Sequence, residues 1–329
     1  MLRVSVIVVC LNEAEVIGRA LNSLVKQDYP SDLTEIIVVD GNSTDGTLDI
    51  VREFEKSHGV RLVVEPRKGT ALGRNVGVAA ASHDHIGFID GDCEAPTNWL
   101  SILMQAMEEA MENDASVIAV GGANIPPEKA SPFVRAIGVA QDSFAGAFNS
   151  AQGRQFEASR LVPSLANCNV VYQKQAILDV NGFDETLMSE AEDADLNYRI
   201  GVNGGKFLFV PESYVLHWMR ATPRLWWKNM VRYGKGRARL LKRFPEMWSV
   251  SYSLPLIFLT GMLTIPLAQE WPVFALGLLY FPAVLGYSYL LSARKKVPEL
   301  FLHVFTVFLV QHFGYAFGEA WGLLNPEVK

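Results

Sequence analysis

The sequence predicts an α/β protein, an open and mostly parallel sheet with helices on both faces, followed by about three membrane-spanning helices. Three observations predict it. Short β-branched runs alternate with amphipathic helical stretches over residues 4–120. The polar clusters of that region stand just past the strand ends, where open α/β sheets bind ligands. From Ser251 to Ala293 the only charged residue is Glu270. Half of the 329 residues are hydrophobic and 19% are charged, which excludes a disordered or coiled-coil chain. A net charge of −6 argues against a dedicated nucleic-acid binder. Cys10, Cys93 and Cys168 are too widely spaced for a disulfide framework or a Cys-rich zinc site, and fit a reducing compartment.

Val4–Val9 is β-branched except at Ser5 and suits a buried parallel strand rather than a cleaved leader, because acids follow it at once. Asn12 can cap a helix from about Glu13 to Lys26, on which Val16, Ile17, Ala20, Leu21 and Leu24 share a face. The alternation continues as strand Ile36–Val39, helix Thr47–His58, strand Val60–Val64, helix Leu72–Ala81, strand His85–Ile89, helix Asn98–Met111 and strand Ser116–Val120. Residues 122–168 break the rhythm, with Pro126-Pro127, Pro132 and a Gln/Ser/Ala/Gly-rich run. This insert faces an acceptor on one reading and merely connects on the other. A strand Lys206–Val210 and a Pro211 turn come before His217.

Arg220 to Arg243 holds nine Lys/Arg and no acid, interleaved with Trp226, Trp227, Met230, Tyr233, Leu240 and Leu241. This reads as an interfacial segment, whose arginines can hold a lipid phosphate, or as a solvated basic face that only sets topology. Residues 251–268, 272–291 and 300–317 are each near the ~20 residues that cross a bilayer; the first two also suit a re-entrant hairpin. Lys242, Arg243, Arg294, Lys295 and Lys296 place the N-terminal part and the 292–298 loop in the cytoplasm and the C-terminal tail outside. The organisation expected is a catalytic domain over 1–219, a basic amphipathic interfacial segment over 220–250 and a transmembrane domain over 251–329 of an integral protein of the cell membrane. Gln311, His312 and Glu319 fall within or near the end of the last apolar stretch, to meet an acceptor or hold helices together. Gly314, Gly318 and Gly322 are four apart and suit close helix packing.

The candidate chemistry lies at the strand ends. No GxGxxG follows the first strand and no GxxxxGK[ST] occurs, which disfavours a dinucleotide fold and an ordinary phosphate-binding loop. Asp40 ends the second strand, to accept donors from a base or ribose or to close an Asx turn. Arg67, Lys68 and Arg74 put positive charge near the same edge, for a nucleotide or for solvent. Asp90-Gly91-Asp92 closes the fourth strand; oxygen ligands there suit Mg²⁺ or Mn²⁺, and Gly91 leaves room for a ligand to pass. Glu190, Glu192, Asp193 and Asp195 form an acidic cluster, in which repulsion raises one carboxylate toward a useful base and Asp195 pairs with Arg199 four residues on. His217 stands near the diphosphate or metal, or packs as a strand-end histidine.

VSVIVVCLNEAEVIGRALNSL (4–24), IIVVDGNSTDGT (36–47), KGTALGRNVGVAAA (68–81), IGFIDGDCEAP (86–96), NVVYQKQAILDVNGFDE (169–185) and EAEDADLNYRI (190–200) together resemble a family 2 glycosyltransferase of the GT-A fold. The resemblance implies transfer of a sugar from a nucleotide-diphosphate sugar with inversion. It implies that Glu13, Asp40, Arg74 and Asp90 line the nucleotide site, that Asp92 holds Mg²⁺ or Mn²⁺, and that Asp193 is the general base. Cys10 replaces the usual proline of the first motif, which touches backbone shape more than chemistry. Residues 217–243 resemble the membrane-attached branch that builds exopolysaccharide or lipid-linked glycans. The QxxRW motif of processive synthases is missing, with Met230-Val231-Arg232-Tyr233-Gly234 in its place. Single-sugar transfer to a lipid-linked acceptor, a polyprenyl phosphate or diphosphate-sugar, is therefore expected. Arg220, Arg232 and Arg237 are placed to bind its phosphate, and a uridine nucleotide is expected ahead of a guanosine one. The alternatives are a processive exopolysaccharide synthase and a catalytically silent membrane scaffold.

Overall fold

A computed structural model describes residues 1–147, 150–219 and 221–325. It divides into two compact units, one formed by 1–127 and 150–219, the other by 128–149 and 220–329.

In the first unit, β1 (Val4–Cys10) leads to α1 (Ile17–Leu24), β2 (Thr34–Asp40), α2 (Thr47–His58), β3 (Arg61–Val64), α3 (Thr70–Ala80), β4 (His85–Asp90), β5 (Cys93–Glu94), α4 (Trp99–Asn113) and β6 (Val117–Ile125). The chain passes through α5 (Pro132–Gln141) and α6 (Phe144–Ala147) of the second unit. It returns with β7 (Arg160–Val162), β8 (Val170–Gln173), α7 (Lys174–Asp179), α8 (Glu192–Val202) and β9 (Lys206–His217). Alternation along β1 builds two cores. Val4, Val6, Val8 and Cys10 face α1 and α4, while Ile7 faces the side of α3, α7 and α8. On α3, Gly73 and Gly77 have no side chain because β1 leaves no room: an added Cβ would stand 2.8 Å from Val9 Cγ1 and 2.5 Å from Ile7 Cγ2. That approach brings Arg74 to the end of the sheet.

The sheet order is β3-β2-β1-β4-β8-β6-β9-β5, with β7 also on β9. The expected mostly parallel sheet is overturned. β3, β2, β1 and β4 are parallel, as are β6 and β9, but β8 enters antiparallel between β4 and β6. β5 and β7 are antiparallel to β9. The cause is the 44-residue excursion between β6 and β8, which returns the chain to the sheet from the opposite end. Nor does Pro211 turn the chain. β9 runs on through it, with its register to β6 shifting between Gly121↔Phe209 and Ala123↔Tyr214; a proline is tolerated at such an irregularity. The first helix also begins later than expected, at Ile17, after turns through 14–16.

The second unit adds α9 (Pro223–Arg243), α10 (Val250–Leu263), α11 (Tyr280–Arg294) and α12 (Phe301–Leu324). α5 and α9 each start with proline at the first turn, and the hydroxyls of Ser131 and Thr222 accept from the backbone N–H three residues on. Three spans are not found. Among the described residues, only 275–294 and 298–324 are helices long and apolar enough to cross a membrane. α10 has 14 residues, about 21 Å at 1.5 Å each, too short for a ~30 Å hydrocarbon core. Pro266 and Pro272 then stand at the starts of two tighter 3₁₀ stretches, Ile265–Gln269 and Pro272–Leu279.

α12 packs on α9 through glycines. An added Cβ at Gly314 would lie 3.0 Å from Met230 Cβ and one at Gly322 2.7 Å from Ala238 Cβ. At Gly318 and at Gly234 it would overlap the carbonyl oxygens of Val231 and Tyr315. Gly318→Val is expected to cost about 1–3 kcal/mol through overpacking, seen as a lower melting temperature of the purified chain. An unchanged melting temperature would show that the seam can open without loss.

Candidate functional site

The site lies at one end of the first unit's sheet. Cys10 pairs with Asp40 and Val9 with Asp90 across parallel strands, so the ends of β2 and β4 flank the end of β1. Arg74, fully enclosed, joins two carboxylates of distant origin: Nη2 lies 3.2 Å from Asp90 Oδ1, and Nη1 donates to Glu192 Oε1 at 2.5 Å. Burial resists the guanidinium's charge, but Glu192 and Asp90 hold its pKa above the ordinary value.

Asp193 stands beside Glu192 in the first turn of α8, which Ala191 enters in the left-handed conformation. Its Oδ1 accepts from the Ala194 N–H at 2.7 Å. Burial, joined by the charge of Glu192 and opposed by Arg74, pushes its pKa up to about 6. A carboxylate in that range is poised to accept a proton near neutral pH. Asp195 is the structural acid of the cluster: it is buried and receives Arg199 Nε at 2.8 Å and Nη2 at 2.6 Å.

Asp92 and His217 meet at the other side of Asp90. Cys93 pairs with His217 across β5 and β9, and His217 Nε2 lies 3.2 Å from Asp92 Oδ2. Burial disfavours a charged imidazole, but Asp92 overrides it and lifts His217 to about 9. Trp218 secures the turn, donating its N–H to Asp92 O at 2.8 Å and its indole Nε1–H to Glu94 Oε2 at 3.0 Å. The Arg19 guanidinium lies 4.2 Å over the Trp218 ring.

The donor set fits a divalent cation. Ligand atoms of Asp92, Cys93 and His217 lie within 4.8 Å of one another. Cys93 is buried, whereas Asp92 and His217 are the two ligands that reach solvent, and they form the pair. A carboxylate oxygen suits Mg²⁺ or Mn²⁺, and the imidazole favours Mn²⁺ over a cation that keeps to oxygen. Both side chains are partly exposed, which leaves the remaining positions to substrate and water.

Other expected residues sit differently. Asp40 is fully buried, and its carboxylate accepts from Ser43 N and Oγ, both at 2.7 Å, and from Cys10 Sγ at 3.4 Å. The carboxylate thus caps the loop at Ser43, three residues on, rather than closing an Asx turn two residues on. It orders a loop whose atoms are tied to the one after β1, with Asn12 N on Ser43 Oγ and Glu13 N on Thr47 Oγ1, each at 2.8 Å. Gly91 makes room for protein rather than for a ligand, since an added Cβ would meet Cys10 Cβ at 3.1 Å, Ile17 Cδ1 at 3.2 Å and Glu13 Cγ at 3.7 Å. Glu13 is thereby packed against the Asp90-Gly91-Asp92 turn. Arg67 is exposed and forked onto Glu65, at 2.9 and 2.7 Å. In the second unit, Arg237 lies 4.3 Å over the Tyr252 ring and 3.4 Å from the Tyr315 hydroxyl. Arg232 lies 5.5 Å over Tyr233, and Arg220 falls outside the described residues. Sequence reasoning missed Glu192 as the partner of Arg74, and Arg19, Glu94 and Trp218 as supports of Asp92. The only signals were the dense acids around Asp193 and the His-Trp pair.

Comparison with known proteins finds relatives over most of the chain. Glycosyltransferase AglE of Haloferax volcanii is 28% identical over 265 residues, 80% of this chain and 82% of that one. A poly-beta-1,6-N-acetyl-D-glucosamine synthase of Staphylococcus epidermidis is 24% identical over 300 residues, 87% of this chain and 68% of that one. Two further curated relatives are spanned over only 57% of their own length. The fold is similar to that of the mannosyltransferase PcManGT from Pyrobaculum calidifontis, solved in complex with GDP-Man and Mn²⁺. The TM-score is 0.58 and the identity 20%, over 94% of this chain and 87% of that one. The family model described as glycosyl transferase family 2 matches residues 5–177, more than half of the sequence. With that match over β1 to α7, the chain belongs to glycosyl transferase family 2.

Proposed function

We propose that the protein is an inverting transferase that moves one sugar from a nucleotide-diphosphate sugar to a lipid-linked acceptor at the cytoplasmic face of the membrane. The observation that carries this reading is the separation of two chemistries at one sheet end: a cation pair, Asp92 and His217, and a raised carboxylate, Asp193, with Arg74 and Asp90 between them. Asp193 takes the proton of the attacking hydroxyl. Arg74 orients Asp90 and Glu192 and keeps positive charge beside the leaving group. A bound Mn²⁺ or Mg²⁺, held by Asp92 and His217, would supply charge neutralisation for the departing diphosphate. Glu13 and Asp90 border the nucleotide, with Asp40 acting through the loop it braces. The lipid-linked acceptor is supported by the apolar second unit; a uridine nucleotide is the first donor to test and a guanosine one the second. Likeness to the staphylococcal polymer synthase favours a second reading, processive synthesis.

The test supplies radiolabelled nucleotide sugars with lipid-linked and soluble acceptors side by side. A single-sugar lipid product of inverted anomeric configuration is expected. Retained configuration would remove Asp193 as base, a long polymer would select the second reading, and equal use of soluble acceptors would remove the membrane argument. Asp92→Asn is expected to abolish Mn²⁺ binding by calorimetry and most turnover while the fold survives. Undiminished Mn²⁺ affinity in that variant would place the cation elsewhere.

A further inference from the structure

Resting on the reading that the second unit is membrane-attached, we infer that this unit is monotopic. On this inference α12 lies in the plane of the cytoplasmic leaflet and does not cross it, and residues 250–294 dip into that leaflet and return.

The direction of α9 decides the matter. Trp227 and Met230 meet Gly314, Val231 meets Gly318, and Lys235 and Ala238 meet Gly322. Lys242 Nζ then donates to Gly322 O at 2.7 Å and Asn325 O at 2.8 Å. The two helices therefore run parallel, at backbone distance, along the whole C-terminal half of α12. A crossing α12 would carry α9 through the hydrocarbon with it. Between Arg224 and Arg243 α9 has eight Lys/Arg and no acid, and such charges at bilayer depth are costly unless each is paired.

Both ends of α12 are also polar. At its start, Lys295 pairs with Asp142, and Arg135 with Glu299 at 3.5 Å, tying the 295–299 loop to α5. At its finish stands Lys242. The apolar surface lies along the flank. Ile257, Leu263, Trp271, Val273, Leu276 and Leu290 are each more than half exposed on α10, the 3₁₀ turns and α11. Along α12 itself, Phe317, Trp321 and Leu324 are exposed in a row that flanks the glycine seam, with the Phe317 ring 6.5 Å from that of Trp227. A face of bare Leu, Ile and Trp edged by a helix with cations and no acids is complementary to an anionic phospholipid leaflet. Inside the unit, Gln311 and His312 are spent on α6: Gln311 Nε2 donates to Gly146 O, and His312 shares hydrogen bonds with Ala145 O at 3.0 Å and the Tyr280 hydroxyl at 2.8 Å. Such polar ties suit a helix at the floor of a surface platform.

The experiment places single cysteines at Glu270, Lys296 and Asn325 of the full chain, whose three native cysteines are buried. Right-side-out and inverted membrane vesicles are treated with an impermeant maleimide. Lys296→Cys and Asn325→Cys are expected to label only in inverted vesicles. Glu270→Cys is expected to resist labelling in both and, carrying a fluorophore after reconstitution, to be quenched by brominated phospholipid. Labelling of position 270 or 325 in right-side-out vesicles would overturn the inference while leaving membrane attachment intact. Protection of position 270 without lipid quenching would overturn it in favour of a second copy of this chain on the apolar face. Failure of the chain to float with vesicles would overturn the membrane reading itself.

Discussion

Asp193→Asn is expected to lower kcat by about 10²–10⁴-fold, the usual loss when a positioned general base is removed, with little change in affinity for the nucleotide sugar. The substitution is close to isosteric. The amide oxygen still accepts from the Ala194 N–H, so the first turn of α8 keeps its hydrogen bond. What disappears is the ability to hold a proton. The wild-type profile should show the same group: burial and Glu192 raise Asp193 to about 6, so kcat falls as pH drops through that value and the base becomes protonated. In the variant that acidic limb should vanish from the residual rate. Stopped assays between pH 5 and 8, with donor binding measured in parallel, check both parts. A variant within tenfold of wild type, with its acidic limb intact, would assign the proton to another group.

Arg74→Met should be the most destabilising single change in the first unit, at about 3–5 kcal/mol, because it strands buried carboxylates without their cation. Glu192 is 11% and Arg74 6% exposed, so solvent offers little screening. Asp90, at 35%, is only partly sheltered and contributes less. The loss should be greatest at pH 8 and narrower at pH 5. Burial already raises the folded-state pKa of Asp90 and Arg74 opposes it, so without the guanidinium protonation on acidification relieves a cost present only when Asp90 is ionised. Urea denaturation at the two pH values reads the difference. A cost below about 1 kcal/mol at both would mean that the cluster behaves as a surface pair.

How far these roles were legible depended on whether their cause is local. Helix α2 was readable to the residue, Thr47–His58, because Gly46 and Gly59 both take positive φ and close it at either end. Strands β1 and β4 were readable because they are buried on both faces. β8 was not, because nothing in its four residues encodes direction; that follows from where the chain re-enters after 128–149. Acids at 190–195 were visible, but not their division of labour. Arg199 claims Asp195 by helical spacing, a local rule, while Arg74 claims Glu192 across 118 positions of sequence. Apolar composition likewise announced three crossings. It could not register that two 3₁₀ stretches follow α10, nor that a basic helix lies against the last one.

The glycines of α3 give the site its gauge. Gly73 sits one position before Arg74 and Gly77 three after it, and both touch β1 where any side chain would collide. The distance from helix axis to sheet is thus set by two absent methyl groups, and that distance fixes how far the guanidinium reaches past the strand ends toward Asp90 and Glu192. Steric fit and electrostatic alignment are therefore one variable here. A methyl added on the hidden side of α3 shifts the charge on the open side, so a residue packed wholly against β1 helps to set where the guanidinium stands between two carboxylates.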